Sequence, residues 1–419
     1  MPPSRPLRVA ALIDLPRSGL SGGHVKGWEY RAETVAASDM PLDLTVFFSG
    51  PEKTEILAPH VCLRQLPPVF STKRLPFLSY VPDHTDLAPY HPALAKELPD
   101  FDVIHTTDAY FAFARTAERV AKKHNIPLVT SFHTDTPSYS RVFTRKTINS
   151  FFGNSGLARF LNDTCRLPER EEQKMLRRLR AHLACCCEAL LIRSEDRALV
   201  DEILGPEHAH LLRPVVDLDR FNPKKADRPA IDAQFNIPPG RFLVLFAGRM
   251  DEGKNIYTLI EAMEKLIARN VPVHLITAGI GPAAEDLAER LQSHVTVAGF
   301  IEPDMLARVM ASSDVFALTS EIEIRSFVAI EALASGLSIA ISAKSGIAEL
   351  IKEASDALRI VKGGADAWAE ALEELAANPA RLASMREAAK NYARTQIVDW
   401  ETAMREDFLP VWEKAAKRQ

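Results

Sequence analysis

Ser320-Glu321-Ile322-Glu323-Ile324-Arg325-Ser326-Phe327-Val328-Ala329-Ile330-Glu331-Ala332-Leu333-Ala334-Ser335-Gly336 sets two carboxylates, Glu323 and Glu331, eight positions apart. The run just before it, Asp314-Val315-Phe316-Ala317-Leu318-Thr319, is short and almost wholly apolar, as a parallel strand buried on both faces must be. Glu323 therefore falls at a strand's carboxyl end, where open α/β sheets bind ligands. Glu331 falls about two turns into the helix that follows.

The same alternation of short apolar runs and longer helical patterns extends in both directions, and predicts βαβ units with parallel sheets. Strands are expected at 7–13, 44–48, 103–105, 128–132 and 189–192, and in a second series at 242–247, 273–278, 295–298, 315–318 and 337–341. Helices are expected at 256–268, 282–292 and 303–311. The polar stretch 222–229, with two prolines, separates the series, so the fold class is α/β with two doubly wound domains. The segment 66–92 carries six prolines and reads as an irregular surface excursion.

Composition agrees with that division. A chain of 419 residues exceeds what one core supports, and 47% hydrophobic with 25% charged residues describes a folded globular protein. A net charge of −4 argues against nucleic acid as partner. No run approaches the roughly 18 apolar residues of a membrane span, and 9–12 is too short for a secretory core, so a cytoplasmic location is expected. Five cysteines, three adjacent at Cys185, Cys186 and Cys187, lack metal-ligand spacing and read as reduced, buried thiols.

Three strand-to-helix junctions of the second domain carry candidate chemistry. After 242–247 come Gly248, Arg249 and Lys254, two cations beside a helix start; they suit a diphosphate, or else pair locally with Asp251 and Glu252. After 273–278, Gly279-Ile280-Gly281-Pro282 is a weak match to a dinucleotide pattern, Pro282 reading as the first helical residue; its glycines could let backbone approach a ligand. The third is the Glu323/Glu331 segment. In one doubly wound domain all three should line one edge, suiting a nucleotide diphosphate with an attached sugar. The first domain offers Gly22 and Gly23 after its opening strand and His133 after its fourth, expected to point into an interdomain cleft.

In this order the motifs resemble the retaining glycosyltransferases of family 4 (group 1), over essentially the whole chain. Gly248-Arg249 with Lys254 looks like that family's diphosphate-binding pair. Glu323 and Glu331, continued by Ala332-Leu333-Ala334-Ser335-Gly336, look like its paired-glutamate motif; Val216-Asp217-Leu218-Asp219-Arg220-Phe221 is similar to its interdomain segment, and Asp399-Trp400-Glu401 begins a last helix like the one that crosses back. The resemblance implies a GT-B fold of two Rossmann-like domains facing across a cleft, an acceptor-side domain at 1–215 with 397–419 packing back on it, and a nucleotide-sugar domain at 216–396. It implies transfer from a nucleotide diphosphate-sugar, UDP-linked, with retention and with no metal or other cofactor. The implied catalytic residues are His133, Arg249, Lys254 and Glu323. The implied donor-binding residues are Gly22, Gly23, Gly279, Gly281, Arg325, Ser326, Phe327 and Glu331.

Arg325 and Ser326 depart from the family pattern, which places an aromatic and a glycine there. Either the donor is unusual or the site is degenerate. A non-catalytic sugar-nucleotide binder and a sugar-nucleotide epimerase are the competing readings. Between Arg141 and His182 ten Lys or Arg stand against four acids, interleaved with Phe143, Phe151, Phe152, Leu157, Phe160 and Leu161. That segment either lies on an anionic membrane surface or forms a helical pair with its aromatics in the core. Lipid, glycan or small-molecule acceptors are all open, and 131–139 looks like the stretch of family members that glycosylate membrane lipids.

Overall fold

Apolar residues in the strands face both ways because helices cover both sides of each sheet, and this makes the strands legible as unbroken runs. The computed structural model describes residues 5–18, 22–74, 85–133, 135–153, 155–321, 326–345, 347 and 352–418. Glu323 and Arg325 lie outside these residues. The chain divides into two compact units: Met1–Leu212 with Glu401–Gln419, and Arg213–Trp400.

In the first unit, β1 (Leu7–Pro16), β2 (Leu42–Ser49), β3 (Lys53–Ala58), β4 (Val61–Leu66), β5 (Val103–Thr106), β6 (Leu128–Ser131), β7 (Glu188–Leu191) and β8 (Ala209–Leu211) form one sheet. Its order is β3-β4-β2-β1-β5-β6-β7-β8. All neighbours run parallel except the β3–β4 hairpin. The strand expected to run to Phe132 stops at Ser131. Within the excursion, Ser71 bridges Asp86, whose buried carboxylate accepts the N–H groups of Val69, Phe70 and Ala88. The last segment belongs to this unit: Phe408 and Trp412 are buried in it, and Lys414 reaches Glu188 on β7.

The second unit is a six-stranded parallel sheet of β9 (Phe242–Ala247), β10 (Val273–Ala278), β11 (Val295–Val297), β12 (Val315–Leu318), β13 (Ser338–Ser342) and β14 (Leu358–Val361). The order is β11-β10-β9-β12-β13-β14. Leu243, Leu245, Phe316 and Leu318 face one core layer, whereas Val244, Phe246, Val315 and Ala317 face the other. Strand order reverses between β9 and β12, so the loops leaving their carboxyl ends diverge to opposite faces and open a crevice in the sheet edge. That crevice is where Arg249, Lys254 and the glutamate segment were expected.

All five cysteines are free thiols, but burial is not uniform: Cys186 is buried and Cys185 is exposed. Burial pushes the Cys187 thiol up to about 11, which leaves it protonated and unreactive at neutral pH. Among the described residues no helix is long and apolar enough to cross a membrane.

Candidate active site

The loop after β9 is shaped by its own polar side chains. Asp251 accepts the Lys254 N–H at 3.0 Å and so caps the single turn Glu252–Lys254. Asn255 then takes the left-handed conformation, φ 54°, and the helix Ile256–Ala268 begins. Arg249 is half-exposed and lies 3.4 Å from Asp251, an ion pair too exposed to add much stability. Both readings of these cations thus meet here: Arg249 pairs locally, and it stands with Lys254 at the switch-point edge.

Two residues not singled out in the sequence tie this loop to the one after β12. The Thr319 hydroxyl donates to the Lys254 carbonyl at 2.7 Å, and the Ser320 hydroxyl donates to the Gly253 carbonyl at 3.5 Å. Asn255 returns a side-chain amide bond to the Thr319 carbonyl. Thr319 and Ser320 are buried. Their signal was present as two hydroxyl residues between the strand and the first glutamate, but only the fold shows what they hold.

The glycine loop after β10 has a different logic from the one expected. A Cβ on Gly279 would lie 1.9 Å from the Gly248 carbonyl oxygen, and one on Gly281 would lie 2.3 Å from that of Met250. The Met250 N–H donates to the Ile280 carbonyl, and the Ala283 N–H to that of Met250. Close approach at these glycines is therefore between two protein loops, a packing that only glycine permits. The helix begins at Ala284, with Pro282 before it and outside it; the expectation that Pro282 opens the helix is corrected.

Glu331 lies on the helix Phe327–Ala334. The residue as a whole is half-buried; its carboxyl group lies deeper and has no hydrogen-bonding or ion-pair partner among the described residues. Burial pushes it up to about 7, against the charge of Arg220. Ser326 caps this helix: its buried hydroxyl accepts the Ala329 N–H at 3.3 Å, which explains a serine at a helix start. Phe327 stacks on Trp400, ring centroids 5.9 Å apart. Asp217 accepts the Arg220 N–H at 2.9 Å.

In the first unit, Gly22 is the N-cap residue and Gly23 the first residue of the helix Gly23–Ala36. His24 follows and stacks on His133, centroids 4.2 Å apart and rings within 14°. The His133 Nε2 lies 2.8 Å from the Ser131 hydroxyl at the end of β6. His24 was not anticipated as a partner, because a stack between a helix start and the loop after another strand leaves no spacing in the sequence.

Two family models match this chain: Glycosyl transferases group 1 over residues 227–396, and Glycosyltransferase Family 4 over residues 36–190. The chain belongs to the group 1, family 4 glycosyltransferases. Among its relatives, a D-inositol 3-phosphate glycosyltransferase from Rhodococcus erythropolis is 28% identical over 55% of this chain and 54% of its own. The chain spans about half the length of the curated relatives it matches. Sucrose-phosphate synthase from Thermosynechococcus elongatus superposes with a TM-score of 0.73 at 18% identity, covering 99% of this chain and 100% of the other. HepE from Anabaena, solved in complex with UDP and glucose, superposes at 0.64 with 14% identity, covering 98% and 99%. The fold is GT-B.

Proposed function

We propose that this glycosyltransferase moves a sugar from a UDP-linked donor to an acceptor with retention of configuration, without a metal or other cofactor. The observation that carries the proposal is the switch-point edge of the second unit. Two cations, Arg249 and Lys254, and a carboxyl without a partner among the described residues, Glu331, whose pKa burial raises, stand on the loop after β9 and the helix after β12. In this reading Arg249 and Lys254 hold the diphosphate, and Glu331 accepts from the ribose hydroxyls. The bond from the sugar's anomeric carbon to the diphosphate breaks while the acceptor oxygen attacks from the same face. The acceptor proton passes to the leaving phosphate oxygen. Charge developing on that oxygen is what the two cations stabilise. His133, Glu323 and Arg325 enter this reading by sequence position alone. HepE's complex with UDP and glucose supports the nucleotide assignment by fold.

The test is a screen of UDP, UDP-sugars and other nucleotide sugars for thermal stabilisation, followed by transfer assays with the product anomer read by NMR. Stabilisation without turnover would favour a binder, an isomerised donor an epimerase. A pH signature accompanies the Glu331 role. Ribose hydroxyls bond the ionised carboxylate, so binding pulls down a pKa of about 7 and releases a proton. UDP affinity should therefore rise with pH through neutrality, and Glu331→Gln should flatten that rise. Calorimetry in two buffers of different ionisation enthalpy measures the proton; none released would remove Glu331 from the ribose.

One surface favours a lipid or lipid-linked acceptor. Phe151, Phe152, Leu157 and Phe160 are 61%, 43%, 49% and 52% exposed, so these side chains do not face the core. Arg141, Arg145, Lys174, Arg178 and Arg180 pair with carboxylates. Among the described residues Lys146, Arg159, Arg166, Arg170 and Arg177 have no such partner. Exposed apolar anchors in the same segment as these cations suit an anionic bilayer. Binding to phosphatidylglycerol vesicles should weaken at least about 100-fold in the double variant Phe151→Ser, Phe152→Ser, at roughly 1.5–3 kcal/mol per buried ring. It should also fall with salt. Equal binding to neutral vesicles, or none to anionic ones, would end this part of the reading.

A further inference from the structure

Trp412 of the C-terminal helix Leu409–Ala416 places its indole N–H 3.1 Å from Nδ1 of His105. An indole nitrogen only donates, so His105 Nδ1 must accept. His105 is wholly buried on β5 against Trp28, Phe408 and Trp412. Burial, then the charge of Arg31 and His24, holds its pKa down to about 3, so the ring is neutral and carries one proton. That proton is on Nε2, which lies 2.8 Å from the Ser131 hydroxyl and donates to it. Ser131 is itself fully buried. Its own proton needs an acceptor, because a buried hydroxyl that donates to nothing loses the bond it had in water. His133 Nε2, 2.8 Å away, is the acceptor in reach among the described residues.

We infer that Trp412, His105 and Ser131 form a directional hydrogen-bond chain that fixes neutral His133 as the tautomer with its proton on Nδ1. Trp412, His105 and Ser131 are thus positioning residues. His133 is presented to a ligand as a hydrogen-bond donor to an oxygen, such as a sugar hydroxyl or phosphate, and not as a resting base. The ligand half of this statement rests on the proposed function. The chain of donors and acceptors does not.

Long-range 1H–15N spectra of protein labelled at histidine, with His133 and His105 assigned by His133→Asn and His105→Gln, read the tautomers directly and without any substrate. The expected result is Nδ1–H for His133 and Nε2–H for His105. Trp412→Phe keeps a ring but removes the donor, and should shift both histidines towards the opposite tautomers. Ser131→Ala should release His133 while leaving His105 held by Trp412. Phe408→Leu loosens the same packing without touching the chain and should leave both tautomers unchanged. A proton on Nε2 of His133 in the unaltered protein overturns the inference, as does an unshifted His133 in Trp412→Phe. If Trp412→Phe does not fold, Ser131→Ala decides, and an unchanged His133 overturns it. Failure of UDP to bind would sink the donor-site reading and leave these spectra as they are.

Discussion

Lys254→Ala is expected to abolish the thermal stabilisation given by UDP and to lower transfer by roughly 10²–10³-fold, the cost of removing one preorganised donor to a developing anion. Lys254 is not an interchangeable surface cation. Its carbonyl is clamped by Thr319, its N–H is taken up by Asp251, and the helix Ile256–Ala268 starts two residues later. The backbone is therefore fixed where a helix amino end adds its own positive field. Lys265 makes a fair control, since it sits on the same helix, is 40% exposed and pairs with Asp366; Lys265→Ala should leave UDP binding unaltered. Equal stabilisation of Lys254→Ala and the parent protein by UDP would show that the diphosphate is held elsewhere. Thr319→Val, which removes only the clamp, should give a smaller loss, read as weaker UDP binding at unchanged fold.

Glu188→Ala should cost the first unit about 3 kcal/mol, the upper end for the hydrogen bonds of a charged group, since the side chains left behind keep part of their access to water. Its melting temperature should fall by roughly 6–12 °C for a unit of this size. The Glu188 side chain is fully buried on β7 and is met by His208 at 3.0 Å, His210 at 2.7 Å, Lys414 at 3.0 Å and Arg418 at 3.3 Å. Burial alone would raise its pKa, but the hydrogen bonds from His210, Lys414 and His208 outweigh it and hold the carboxylate below its ordinary value. A carboxylate lowered by folding stabilises fully above the ordinary carboxylate range, and that contribution is lost as pH falls through its folded value. Glu188→Ala should therefore unfold with a shallower acid dependence than the parent. Exposed Glu207, 3.1 Å from His208, is the control: Glu207→Ala should change stability by less than about 1 kcal/mol. Similar melting of the two variants would mean that the cations find water instead.

What could be read in the sequence follows from what each element buries. β9, β10 and β12 were placed to the residue, because strands covered on both faces admit almost nothing but apolar side chains. The helix Ile256–Ala268 was equally legible from its buried stripe of Leu259, Ile260, Met263 and Leu266. β3 was missed: Lys-Thr-Glu-Ile-Leu-Ala is an edge strand with an exposed Ile56, held by pairing with β4 and not by its own pattern. β14, Leu-Arg-Ile-Val, escaped for the same reason at the other sheet's edge. Arg249, Lys254, Glu331 and His133 stood out because chemistry gathers where strands end. Their supports did not, since Trp412 meets His105 across 307 positions and Thr319 meets Lys254 across 65. The glycines 279 and 281 were noticed for the right conformational reason, yet the neighbour they admit is the Gly248–Met250 backbone.

The first unit is discontinuous: Arg213–Trp400 is spliced into it, and its last piece begins at Glu401. On a ribosome adding roughly 5–20 residues per second, the 188 intervening residues take roughly 10–40 s to make. Through that interval the nascent unit lacks Trp412 over His105 and two of the cations around Glu188. The second unit is contiguous and can close first. Vectorial synthesis therefore reverses the usual order: the N-terminal portion waits without its last helix until the second unit has been made.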